Sequence, residues 1–114
     1  MTATPTIASV TNRGKRVKPG GPAAYVTAGT WPEGTIDSDA PHAIQWASEI
    51  SRRLKAALSD TSTTAVAAEI GVARSTLYDI IRGTTWPDFV TIADLEVVLD
   101  IELLPRSSRH GSRQ

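Results

Sequence analysis

Arg74, Ser75, Tyr78, Asp79 and Arg82 crowd into one short run, RSTLYDIIR. At helical spacing Arg74, Tyr78 and Arg82 recur every fourth position and so share one side. An arginine fork can take guanine O6 and N7 together, worth about 1–3 kcal/mol of base discrimination. Arg74 is the candidate for that contact; the alternatives are a phosphate contact or an ion pair within the chain. Tyr78 can touch a thymine methyl or a phosphate, or sit as a half-buried surface aromatic. Asp79 can accept from cytosine N4, but it also repels phosphate, so it reads rather as an orienter of Arg82 or Arg74. Arg82 reads as a clamp on a phosphate backbone. Ser75 and Thr63 can hydrogen-bond phosphates, as can Thr64 from the next position. Upstream, Arg13, Lys15, Arg16 and Lys18 form a basic arm. Such an arm either adds affinity without sequence choice or is a solvated tail.

Other chemistries find little support. The chain has 114 residues and no cysteine, so disulfides and cysteine-based zinc sites are excluded. His42 and His110 lie far apart with no neighbour at ligand spacing. No Ser-His-Asp order, carboxylate pair, phosphate-binding glycine loop or metal cluster is readable. The expectation is a protein that is not an enzyme and carries no cofactor, metal or small-molecule ligand. No apolar run approaches the roughly 18 residues of a membrane span. The N-terminus lacks the charged-then-apolar order of a secretory signal. A soluble protein in the cytoplasm of a bacterial cell, at the nucleoid, is expected.

Formal net charge is zero. Its distribution is uneven: +1 over residues 1–40, −4 over 41–104 and +3 over 105–114, where Arg106, Arg109 and Arg113 lie. Five of the nine acids in the central part follow the RSTLYDIIR run, where they can face away from a polyanion.

These side chains need elements to position them. Residues 1–22 are rich in Thr, Pro, Gly and basic residues and read as a flexible arm. Residues 23–40 read as a small hairpin around Ala28-Gly29, with Thr30 and Trp31 in its second strand, or as a loop packed through Trp31. Asp39 is placed to cap a first helix at Pro41, with Ile44, Ala47, Ile50, Leu54, Ala57 and Leu58 on its buried face. Trp46 is expected in the core or at its edge. Ser62 caps a second helix that ends at Gly71; a third runs from Arg74 to Arg82 and ends at Gly83. Ala73 is a poor cap for it, costing about 1 kcal/mol. Asp88 caps a fourth from Phe89 to Leu99, with Phe89, Ile92, Leu95, Val98 and Leu99 inward. Ile101, Leu103 and Leu104 close the core, and residues 105–114 read as a disordered basic tail. Trp86 is expected under the loop between the last two helices.

Ala67 is small where the second and third helices must cross, and Gly71 sits where the turn needs a left-handed backbone. Val66, Ile70, Val72, Leu77 and Ile80 point inward. That pattern is a helix-turn-helix. Val66-Ala67, Ile70-Gly71-Val72, Arg74-Ser75-Thr76, Arg82-Gly83 and Pro87 follow the order of the Cro/CI-type helix-turn-helix family, which this stretch resembles; it is also called the xenobiotic-response-element family of phage and bacterial repressors. The resemblance covers about residues 41–104. It departs from the family pattern at Thr63 (usually glutamine), Ala73 (serine), Trp86 (asparagine) and Asp100 (often glycine).

The resemblance implies an all-α fold, a compact four- to five-helix lambda-repressor-like bundle. It also implies that double-stranded DNA is the partner, read by the third helix. The expected function is a sequence-specific transcriptional regulator, a phage or prophage-type repressor that occludes a promoter and confers phage immunity. A homodimer, joined through residues 23–36 or the fourth helix, and an arm-assisted monomer both remain open. Two alternatives stand beside it: an antitoxin that represses its own operon, and a protein-interaction module that has lost DNA binding.

Overall fold

The structure, a computed structural model, describes residues 18–105. Arg13, Lys15, Arg16, Arg106, Arg109 and Arg113 lie outside the described residues. A 3-10 turn, Pro22–Tyr25, leads into strands β1 (Val26–Ala28) and β2 (Thr35–Ile36). Four helices follow: α1 (Ala43–Leu58), α2 (Thr63–Ile70), α3 (Arg74–Arg82) and α4 (Phe89–Leu99). The fold is an all-α bundle carrying a small hairpin.

Helix α1 buries Ile44, Ala47, Ile50, Leu54 and Leu58 as the spacing predicts, and Ser51 with them. Its start differs from expectation. His42, not Asp39, precedes the first turn, and no side chain caps it. Pro41 has no N–H for Asp39 to receive. The N–H of Asp39 itself donates to Asp37 Oδ1 at 2.9 Å. Trp46 is also a correction: it is 54 % exposed. It lies about 100° round the helix from Ala47, off the buried stripe.

Helix α2 begins as predicted, with Ser62 Oγ accepting from the Ala65 N–H at 3.1 Å. Gly71 ends it at φ +83. The N–H groups of Gly71 and Val72 both donate to the Ala67 carbonyl, at 2.9 and 3.0 Å. Helix α3 starts without a side-chain cap, because Ala73 has none to offer, and ends at Gly83 with φ +77.

Asp88 caps α4 by accepting from the Thr91 N–H at 2.7 Å. Phe89 departs from its expected place and is 73 % exposed. It is the first helical residue, and side chains there lean back beyond the helix start, away from the core. Asp100 takes φ +57, so a residue other than glycine makes the left-handed exit. The carboxylate of Glu96 then holds the returning chain, accepting from Leu103 N at 2.7 Å and Leu104 N at 3.0 Å.

Packing joins α1 to α3, and α2 to both α3 and α4. The core unites Ile50, Leu54, Leu58, Val66, Ala67, Leu77, Ile80, Ile92, Leu95 and Leu103. Ile70, Val72, Val98, Leu99, Ile101 and Leu104 pack around it. Leu54, Leu77, Leu95 and Leu103 lose all solvent contact, each stabilising the fold by about 1.5–3 kcal/mol. Trp86 is half-buried, and its indole Nε1 is buried with no hydrogen-bond partner among the described residues.

The hairpin also departs from the predicted pairing. Val26 pairs with Ile36, and Ala28 with Thr35; Thr30 and Trp31 belong to the connection. Pro32, which cannot donate to a ladder, follows Trp31 and moves the second strand downstream. Trp31 turns onto the bundle instead. No helix among the described residues is long and apolar enough to cross a membrane.

Candidate nucleic-acid interface

Helix α3 is two-sided. Leu77 and Ile80 are buried, while Arg74, Ser75, Tyr78 and Arg82 face solvent to differing degrees. Burial of the first pair pins the helix rotation, so the second set must face water.

The first turn of α3 holds a small cluster. The Arg74 guanidinium lies over the Tyr78 ring, 5.8 Å from its centroid. Its Nη1 also donates to Thr64 Oγ1 at 3.5 Å, a long contact across the turn from α2. Two helices therefore bias one guanidinium, and neither contact is a carboxylate that would neutralise it. Ser75 is exposed beside it. Thr63 opens α2 directly after the Ser62 cap and is half-buried.

The last turn of α3 differs. Arg82 Nη2 donates to Asp79 Oδ1 at 2.6 Å, an exposed pair one turn apart. Of the two partners considered for Asp79, the structure places Arg82 there. Such a pair is worth about 0–1 kcal/mol and is readily exchanged for a phosphate.

Lys18 stands apart from α3, on the hairpin. Its Nζ is 3.7 Å from Asp37 Oδ2 and 5.1 Å from the Tyr25 ring centroid. Its N–H donates to the Tyr25 hydroxyl at 2.9 Å. On α1, Glu49 accepts from Arg53 Nε at 2.8 Å and also bonds Arg52. The Arg53 bond leads in holding the Glu49 carboxyl below its ordinary pKa, aided by the charges of both arginines and opposed by desolvation. Among the described residues, no group of three or more His, Cys, Asp or Glu could hold a metal ion.

A family model described as Helix-turn-helix matches residues 51–104. This segment is a Cro/CI-type helix-turn-helix. The family is one of DNA-binding transcriptional regulators and not of enzymes. No curated protein and no solved structure matches the chain.

Within this helix-turn-helix, α2 and α3 are the crossed pair and Gly71 is the corner. The matched segment begins inside α1, so the hairpin and the first half of α1 precede it. Sequence reasoning gives Thr64 little weight beside Thr63, yet Thr64 is the residue that touches Arg74. It passes over Ser51 altogether. The signal is present: Ser51 is a polar residue inside the buried stripe of α1, one place after Ile50 and three before Leu54.

Proposed function

We propose that the chain is a sequence-specific DNA-binding repressor of phage or prophage type, acting by occluding a promoter. The exposed first turn of α3 supports this reading, because Arg74 is held by Tyr78 and Thr64 with no acidic partner among the described residues. A guanidinium prepared in this way loses little side-chain freedom on meeting a guanine edge. Tyr78 and Ser75 contact the flanking thymine methyl or phosphates. Thr63 and the N–H groups opening α2 and α3 hold the backbone. Arg82 exchanges Asp79 for phosphate, and Arg13, Lys15, Arg16 and Lys18 add charge attraction. Two copies pair through α4, a role supported by its exposed Phe89, Val90 and Val97.

Selection of bound sites from a random DNA pool tests this. Recovery of a G-containing motif in inverted repeat supports a dimer reading guanine; an asymmetric motif replaces the dimer with a monomer. Arg74→Ala then relaxes choice at one base-pair position by about 1–3 kcal/mol. Removal of residues 1–17 instead weakens binding to all duplexes and flattens its salt dependence. Equal losses on specific and random DNA for Arg74→Ala would refute base reading. If no duplex is retained at low salt, the regulator reading gives way to a protein-interaction module.

A further inference from the structure

The C-terminal end of α3 is held by residues that lie before or at the very start of the family match. Like any helix, α3 leaves its last carbonyls without intrahelical donors. The Ile80 carbonyl accepts from the Gly83 N–H at 3.2 Å, and Ser51 Oγ adds a second donor at 2.7 Å from inside the buried face of α1. The same hydroxyl accepts from Trp31 Nε1 at 2.9 Å. The Trp31 ring also lies on Gly83: a Cβ there would come within 2.7 Å of indole Cδ1. From the other side of the hairpin segment, the Ala23 N–H donates to the Gly83 carbonyl at 2.7 Å. Gly21 is in such close contact that a Cβ would fall 2.4 Å from the Thr84 carbonyl carbon.

Separate contacts from residues 21–31 and 51 thus converge on residues 80–85. None of them touches the exposed face of α3. Burial of Leu77 and Ile80 already pins the rotation of α3; the geometric effect of these contacts is to fix where the helix ends, and so its tilt. At the corner, a Cβ built on Gly71 would point into open space, meeting nothing within 4 Å beyond its chain neighbours. The start of α3 is held by the Gly71 and Val72 bonds to Ala67 and by Val72 on the core, and its end by the contacts from residues 21–31 and 51.

We propose that residues 21–31 form a brace that positions α3 for base reading, with Trp31, Ser51 and Gly21 as positioning residues. The proposal rests on the DNA-reading role of α3 and extends the reading unit upstream of the family match. The brace acts on specificity more than on total affinity. Base-edge hydrogen bonds fail with small errors of helix placement, whereas phosphate attraction is long-ranged and tolerant.

The test uses full-length protein and the DNA site obtained by selection. The readout is the specificity ratio, the Kd for a random duplex divided by the Kd for the selected site, at a temperature where circular dichroism shows every variant folded. Unfolded protein lowers the active fraction for both duplexes alike, so loss of stability alone leaves this ratio unmoved. Trp31→Ala and Gly21→Ala are expected to lower the ratio about tenfold, within the range of discrimination that one bidentate side chain–base pairing supplies. Trp31→Phe, which keeps an aromatic ring beside Gly83 but loses the indole N–H and the second ring, is expected to retain more of it than Trp31→Ala. Leu103→Ala, a core truncation outside the brace, is expected to lower stability and leave the ratio unchanged. An unchanged ratio in both Trp31→Ala and Gly21→Ala overturns the brace while leaving DNA reading intact. Should Trp31→Ala fail to fold, Gly21→Ala and Trp31→Phe decide the matter. A wild-type protein that binds the two duplexes equally overturns DNA reading itself, and the brace falls with it.

Discussion

Gly71 and Gly83 end consecutive helices with nearly the same backbone, φ +83 and +77. Replacement of either by alanine forces a Cβ into left-handed geometry, at a cost of about 1–2 kcal/mol. Their surroundings differ completely. The Cβ of Gly71→Ala meets nothing within 4 Å. That of Gly83→Ala meets the Trp31 ring at 2.7 to 2.8 Å, which real carbon contacts do not allow. The indole must retreat, and its bond to Ser51 must lengthen. Overpacking of this kind adds about 1–3 kcal/mol. Gly71→Ala is therefore expected to cost about 1–2 kcal/mol and Gly83→Ala about 2–5 kcal/mol in all. Urea denaturation followed by tryptophan fluorescence measures both, and the double variant with Trp31→Ala completes a cycle. In that background the clash is gone, so Gly83→Ala should fall to the cost of Gly71→Ala. Equal costs for the two glycines in the wild-type background, or no coupling to Trp31, would show that the indole does not rest on Gly83.

Other consequences concern caps and charge. Ala73→Ser supplies the missing acceptor at the start of α3, where the backbone already has extended capping geometry. It should stabilise the fold by about 1 kcal/mol in the same denaturation assay. Glu96→Gln weakens the acceptor that holds the Leu103 and Leu104 N–H groups, and a loss of about 1–2 kcal/mol is expected. Faster hydrogen exchange at those two amides would report the site directly. Glu49 has a lowered pKa in the folded chain, led by its bond to Arg53. Its stabilising contribution is therefore present above the ordinary glutamate range and fades as pH falls through the lowered value. The stability gap between wild type and Glu49→Gln should shrink on acidification through that window; a gap that stays constant contradicts the assignment.

The helices and their corner are legible in the sequence because their causes are local. Ser62, Gly71, Gly83 and Asp88 act within a turn of their own positions, and a buried stripe is a period that can be counted along the chain. The same locality places Arg74, Ser75, Tyr78 and Arg82 on the solvent side of one helix from sequence alone. Errors arise where the outcome depends on what lies across space. The Asp39 cap fails through detail at Pro41, and Phe89 fails because the helix start overhangs the core. Trp46 and Trp31 look alike in sequence, each a tryptophan near an apolar segment. One is exposed, and the other lies on Gly83 with its N–H on Ser51.

The chain's own order of residues was enough to specify a glycine-cornered pair of helices and the polar face one of them must show to water. Periodicity and capping are properties of neighbours along the chain. Only the tertiary structure decided that Trp31, Ser51 and Gly21 meet at the end of α3, and that Thr64 meets Arg74. Those contacts join residues 10 to more than 60 positions apart. They exist because the hydrophobic core brings their elements together; a polar residue in a buried stripe marks Ser51, but no local pattern names its partners.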